Sequence, residues 1–258
     1  SLPSASTARI ALPTEEASMP VPTLSARKVV AIGGSSGIGF AVAEAALAEG
    51  AFVVIGSSKA ANVESAVARL GKGASGAAVN VRDEASVQAF FETAGAIDHL
   101  AYTAGDWDRA QAGPVAELDF AVAASGLEVR FWGALRAIKH ALPHLAPAGS
   151  ITLTDGVRTH KPAKGMPLSS AYGAAIEHLA KGLAVDLAPR RVNAVCPGLI
   201  LTEVWNAMPA DRLARMTAGL PLPQAGDPTD VAQAYVYLMK GGYTTGQVLI
   251  VDGGLMLT

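Results

Sequence analysis

The run Val29-Val30-Ala31-Ile32-Gly33-Gly34-Ser35-Ser36-Gly37-Ile38-Gly39 ends an apolar strand on a glycine-rich turn and continues it as a helix. Phe40, Val42, Ala43, Ala46 and Leu47 supply the apolar positions of that helix. Strand, tight turn and helix N-terminus together make a cradle for a pyrophosphate. The glycines let backbone approach the phosphates, and unpaired N–H groups of the first helical turn point at the anion. Many surface turns are rich in glycine, so the reading rests on what the rest of the chain adds.

The chain has 258 residues, half of them apolar and 16% charged, which suits one large α/β domain with a substantial core. The net charge is −2, without a dense Lys/Arg stripe, which argues against nucleic acid or an anionic membrane as partner. Cys196 is the only cysteine, so no intrachain disulfide and no cysteine-based metal cluster is expected. The five histidines are scattered without metal-ligand spacing, so no metal is expected either. No apolar run reaches the roughly 20 residues of a membrane helix. Residues 1–26 are rich in Ser, Ala, Pro and Thr and lack the apolar segment of a secretory signal. They read as a flexible N-terminal extension, with the domain over residues 27–258. A cytoplasmic protein is the simplest expectation.

Further along, Ala51–Gly56 is a short buried-strand run, and Ala60–Leu70 is helical with Val63, Val67 and Leu70 on one face. Ala77–Val81 reads as a third strand, Glu84–Ala94 as a helix and Ile97–Thr103 as a fourth strand. A long helical region is expected from about Val115 to Leu145, broken near Ser125-Gly126. Ser150–Thr154, Arg191–Cys196 and Gln247–Val251 complete the strands, with a helix over Leu168–Leu187. Strands alternating with helices predict parallel βαβ units with right-handed crossovers. Continuous apolar strands fit a sheet covered on both faces. The fold expected is α/β: a single doubly wound, Rossmann-type, mostly parallel seven-stranded sheet with helices on both faces.

From about Ser25 to Gly254 the sequence resembles the short-chain dehydrogenase/reductase superfamily. Gly33-Gly34-Ser35-Ser36-Gly37-Ile38-Gly39 matches its three-glycine cofactor turn, with Ile32 where threonine is usual. Val192-Asn193-Ala194-Val195-Cys196-Pro197-Gly198, followed by Thr202, is similar to its sixth-strand segment beside the nicotinamide. Gly246 to Gly254 is similar to its C-terminal strand and turn, and Leu183 to Arg190 to the end of its long active-site helix. The resemblance implies cofactor contacts from Gly33, Ser35, Ser36, Gly37, Ile38, Gly39, Ala104, Gly105, Pro197, Gly198, Ile200 and Thr202.

After the second strand, an enzyme selective for NAD places a carboxylate on the adenosine ribose. Here Gly56-Ser57-Ser58-Lys59 carries two hydroxyls and an ammonium, which suit a 2′-phosphate. NADP(H) is therefore the expected cofactor, held by Ser57, Ser58 and Lys59. Asn80-Val81 stands where the family has Asp-Val beside the adenine, and Tyr102-Thr103-Ala104-Gly105 replaces its Asn-Asn-Ala-Gly.

The family's acid/base tyrosine, its lysine four residues on, its serine and its asparagine are all exchanged. Alignment on Leu179, Leu183 and Ala184 puts Ser169 at the tyrosine, Gly173 at the lysine, Gly156 at the serine and Arg130 at the asparagine. A serine alone is a poor proton donor at neutral pH. If an acid exists, Asp155 is the candidate, its side chain turned toward the nicotinamide, although it could equally cap the loop. His160, Lys161 and Lys164 read as a solvated loop face. Arg130 is expected to touch the cofactor, hold an anionic group or polarise a carbonyl. Tyr172, one turn beyond Ser169, could reach the cleft or pack in the core.

Tyr102–Asp106, Arg130–Ala134 and a Pro-containing loop also resemble a divergent subgroup. It includes fungal indole-alkaloid enzymes that use NADPH to reduce an iminium and then assist a Diels–Alder cyclisation. Their Pro-Asp-Pro-Gly-Trp loop is Pro162-Ala163-Lys164-Gly165-Met166 here, so cyclase activity does not carry over. The expectation is an NADP(H)-dependent oxidoreductase, possible in secondary metabolism, acting on an activated C=N or carbonyl. An NADP(H)-binding protein without redox turnover is the alternative. The segment Leu201–Pro223, with Trp205, Met208, Leu213 and Met216, reads as a lid over a bulky apolar substrate. A homo-oligomer, dimer or tetramer, is expected by family analogy.

Overall fold

The structure, a computed structural model, describes residues 23–105, 113–205 and 208–258. The strands are β1 (Lys28–Ile32), β2 (Phe52–Ser57), β3 (Ala74–Ala78), β4 (Ile97–Tyr102), β5 (Leu145–Thr154), β6 (Arg191–Pro197) and β7 (Val248–Val251). They form one sheet in the order β3-β2-β1-β4-β5-β6-β7, every pair parallel. The helices are α1 (Gly37–Ala48), α2 (Ala60–Leu70), α3 (Glu84–Ala94), α4 (Phe120–Ser125), α5 (Ala134–Ala141), α6 (Pro167–Asp186), α7 (Ala210–Thr217) and α8 (Pro228–Lys240). Strand order reverses between β1 and β4, and the crevice outside their carboxyl ends is where doubly wound sheets bind ligands.

Each sheet face carries its own core. Phe40 and Val42 of α1, Val63 of α2, and Val231 and Tyr235 of α8 pack on one side. Phe90 and Phe91 of α3, Ile138 of α5 and Ile176 of α6 pack on the other. Val29, Val30, Ala31 and Ile32 are sealed between them at 0–1% exposure. Each such valine or isoleucine contributes about 1.5–3 kcal/mol. Leu24, placed in the N-terminal extension by sequence, is buried in the first core, and the Ala26 amide donates to the Gly50 carbonyl. Thr23 to Ala26 are thus part of the packed domain.

Three elements differ from expectation. β3 spans Ala74–Ala78, shifted from Ala77–Val81, because register with β2 outweighs the β-branched residues at Val79 and Val81. Its small residues let neighbours press close: a Cβ on Gly76 would lie 2.7 Å from the Ile55 carbonyl. The helical region after Val115 is divided further than expected, into a 3-10 turn (Val115–Glu117), α4, a π-helical segment (Glu128–Gly133) and α5. Helix α8 was not anticipated, although Asp227-Pro228-Thr229-Asp230 is a start signal. The Asp227 carboxylate caps the first turn, Asp230 returns the bond to the Asp227 amide, and Pro228 takes the first helical position.

A buried histidine gives the fold an acid limb. His99 on β4 meets the Ser150 hydroxyl at 2.8 Å, and burial lowers its pKa to about 4 from an ordinary 6.5. The unfolded chain therefore takes up this proton first. The contribution is full above pH ~6.5, falls as pH drops below that, and is gone below about 4, roughly 3 kcal/mol in all. His99→Gln is expected to lose less melting temperature than the parent between pH 6.5 and 4, read by thermal melts across that range.

Candidate functional site

The glycine turn is built to bring backbone together. The Gly33 and Gly34 amides both donate to the Gly56 carbonyl, at 2.7 and 3.3 Å. Gly33 has φ +89°, and a Cβ there would stand 2.7 Å from the Ala104 nitrogen. A Cβ on Gly39 would run into the Gly33 carbonyl and the Thr103 hydroxyl. That hydroxyl donates to the Ile32 carbonyl at 3.0 Å. Ser36 caps α1 without a side-chain bond, which leaves the first-turn N–H groups facing outward. Gly37, at φ +51°, faces Thr202, and the Glu203 carboxylate lies 3.5 Å from the Gly37 amide.

Beyond the turn, the Ser35 and Ser57 hydroxyls meet at 2.9 Å, while Ser58 and Lys59 are exposed at the start of α2. Asn80 is exposed and its side-chain oxygen accepts from the Arg82 amide. Val81 faces inward, 2.9 Å from where a Cβ on Gly133 would be. Pro197 and Ile200 are buried, with Gly198 packed on Asp252 and Ile200 bridged to Gly226. The turn, Ala104 and Gly105, the Ser57–Lys59 group and the Pro197–Thr202 segment lie at the carboxyl ends of β1, β4, β2 and β6.

Arg130 sits in the π-helical segment and lies against Gly105, where a Cβ would be 3.0 Å from Nη2. Tyr102 has a structural task. Its buried phenol donates to the Val129 carbonyl at 2.5 Å, and a Cβ on Gly133 would lie 2.6 Å from its oxygen. The wide turn and Gly133 accommodate the tyrosine that replaces asparagine. Asp106, the last residue of the quoted Tyr102–Asp106 motif, lies outside the described residues.

Each proton-donor candidate has a defined set of neighbours. Asp155 is 2% exposed and turned toward α6. Its Oδ1 accepts from the Thr159 hydroxyl at 2.8 Å, and Oδ2 is buried without a hydrogen bond. Burial, then the facing Glu177 carboxyl, raise its pKa to about 7. Asp155 and Thr159 fill the space above Gly173 that the stem of a lysine would need. The Tyr172 hydroxyl donates to the Ala123 carbonyl of α4 at 2.5 Å. Ser169 is half-buried in the first turn of α6. His160 and Lys161 are tied down: the imidazole meets the buried Glu177 carboxylate at 2.5 Å, and the Lys161 ammonium donates to the Leu255 carbonyl at 2.8 Å. His160 and Lys164 are exposed as expected, and Lys161 is partly buried.

Burial also raises the pKa of the Cys196 thiol, reinforced by Asp155 and Glu177. Glu177 had no signal in the sequence beyond being a carboxylate on the apolar face of α6, next to Ile176 and four residues past Gly173. In the segment Leu201–Pro223, a 3-10 turn over Glu203–Trp205 precedes α7, with Leu220 buried and Met216 exposed. Among the described residues no helix is long and apolar enough to cross a membrane.

The fold and its crevice define a dinucleotide-type α/β protein, and comparison with known proteins narrows the class. Residues 32–256 match the family model described as enoyl-(acyl carrier protein) reductase. The chain is 36% identical to the short-chain dehydrogenase/reductase ucsE of Acremonium sp over 91% of its own length and 97% of that protein's. It is 32% identical to malC of Malbranchea aurantiaca, over 91% and 96%. The solved reductase/Diels-Alderase MalC superimposes with a TM-score of 0.84 at 30% identity, covering 91% of this chain and 98% of that one. A small-chain dehydrogenase solved with NADPH gives 0.77 at 36% identity, covering 91% and 100%. The chain belongs to the short-chain dehydrogenase/reductase family.

Proposed function

We propose that this protein is an NADPH-dependent reductase of an activated acceptor, an iminium or a strongly polarised carbonyl compound. The observation that carries the reading is a complete dinucleotide cradle beside the positions Ser169 and Gly173, where neither a phenol nor an ammonium can serve as proton donor. The cradle suits the cofactor: glycine at Gly33 and Gly39 permits contacts no other residue could make, and Ser36 leaves the α1 N-terminus without a side-chain cap. The Gly37 amide, now 3.5 Å from the Glu203 carboxylate, would be among the donors that hold a pyrophosphate. Ser57, Ser58 and Lys59 suit a 2′-phosphate, and the relative solved with NADPH supports that choice. When bound, the dinucleotide supplies the hydride.

An iminium carbon already carries positive charge, so its reduction needs no proton, and the missing tetrad costs nothing. The likeness to a reductase/Diels-Alderase favours such an acceptor. Arg130, seated on the Gly105 floor, holds an anionic group of substrate or cofactor, or polarises a carbonyl.

The test is NADPH consumption with cyclic iminium compounds against plain ketones. Turnover is expected with the former and none with the latter. Arg130→Ala should lower kcat/KM roughly 10- to 100-fold, about 1.4–2.7 kcal/mol of transition-state stabilisation. Tight NADPH binding with no turnover across the panel would instead favour a cofactor-binding protein. Independently, Ser58→Asp is expected to weaken NADPH at least roughly 10-fold and to favour NADH, since a carboxylate repels the 2′-phosphate and accepts from ribose hydroxyls. Titration with both nucleotides checks it.

A further inference from the structure

Four potential metal donors from four separate elements converge behind the crevice. Asp155 directly follows β5, His160 follows a 3-10 turn over Val157–Thr159, Glu177 lies midway along α6, and Cys196 is on β6. One donor atom of each lies within 4.8 Å of all the others. Asp155, Glu177 and Cys196 are 2%, 4% and 0% exposed, and only His160 reaches the surface. Asp155 Oδ2 is buried in this cluster without a hydrogen-bond partner. The His160 imidazole already lies 2.5 Å from Glu177 Oε1.

We infer that these side chains form a closed binding site for a zinc-class divalent cation. Two carboxylates and a thiol sealed together either hold their protons or exchange them for a cation. A divalent cation would take the place of those protons, held by the two carboxylates, the thiolate and the neutral imidazole. Sulfur, nitrogen and two oxygens form a donor set that zinc accepts and that magnesium and calcium, which take oxygen ligands, do not. Zinc–ligand distances of about 2.0–2.3 Å place tetrahedral donors about 3.5 Å apart, so side-chain shifts of about 1 Å close the site. With four protein donors and no open position the ion is structural. It pins the Val157–His160 segment to α6 and occupies the region behind Gly173. Sequence spacing did not reveal it because no two donors share an element.

The test uses the purified full chain, stripped with a chelator and reloaded with zinc or cobalt alone. One equivalent of zinc should be retained after dialysis and should raise the melting temperature. The cobalt form should show a thiolate-to-metal charge-transfer band. Cys196→Ser should abolish that band, with circular dichroism checking that the variant is folded. His160→Ala, at the surface end, preserves the fold and should weaken zinc at least roughly 10-fold, since losing a ligand costs no less than losing the partner that orients one. Failure to retain zinc together with no cobalt band overturns the site and leaves four groups sharing protons. A band that survives in folded Cys196→Ser also overturns it, because the metal is then held elsewhere.

Discussion

Gly173→Ala is expected to destabilise the protein by about 2–3 kcal/mol, even though alanine is the better helix former by roughly 1 kcal/mol. A Cβ at Gly173 would overlap the Thr159 hydroxyl and Asp155 Oδ1, far inside van der Waals contact. Moving Asp155 aside breaks its bond from Thr159 and leaves a buried carboxyl without it. For a domain of this size the melting temperature should fall by roughly 5–10 °C. Gly182→Ala on the same helix meets nothing within 4 Å and serves as control, gaining a few tenths to 1 kcal/mol. Added to Asp155→Ala/Thr159→Ala, which removes both obstructing groups, Gly173→Ala should cost little, giving a large coupling energy in a mutant cycle. If Gly173→Ala melts like Gly182→Ala, the packing described above Gly173 is incorrect. Equally, grafting tyrosine at Ser169 and lysine at Gly173 will not recreate the family's acid, because Asp155 and Thr159 stand where the lysine stem must pass.

Gly39→Ala should abolish NADPH binding at accessible concentrations, a loss on the order of 100-fold in Kd. Its added methyl would overlap the Gly33 carbonyl and the Thr103 hydroxyl, and the first of these is backbone that cannot rotate away. Relief requires the turn to open, which displaces the amides of the cradle and disturbs the Thr103–Ile32 bond that ties β4 to β1. Overpacking of this kind costs about 1–3 kcal/mol, and here it falls on the residues that meet the phosphates. The measurement is the thermal shift with NADPH against the same protein without it. An undiminished shift in Gly39→Ala would remove the glycine turn from the cofactor site.

Local signals were the legible ones. The strand, turn and helix from Val29 to Leu47 announce themselves within 19 residues, because periodicity and turn glycines act over short range. The seven parallel strands follow from repeating that pattern. β3 escaped because Ala-Ser-Gly-Ala-Ala has no strand propensity of its own and is held by its partner β2. The candidate site divides in the same way. Its cofactor half lies in contiguous motifs. Its other half turns on side-chain direction: Asp155 alternates onto the α6 face of β5, as Cys196 does on β6, and both meet Glu177 there. No sequence window spans positions 155 to 196, so the burial of Asp155 and the anchoring of His160 emerge only when the helix is laid across the strands.

The π-helical segment acts as a crank. One residue more than a regular turn requires rotates everything beyond it by roughly 100° about the helix axis. The arm before it offers its carbonyl at Ala123 to Tyr172 of α6, and the arm after it turns Ala137 and Ile138 into the core with Phe90 and Phe91 of α3. Arg130 rides on the throw between them, braced by the Tyr102 phenol at its neighbour Val129. The angle at which that guanidinium meets the crevice is therefore set by a tyrosine in the sheet, and asparagine at position 102 would release it without touching the arginine.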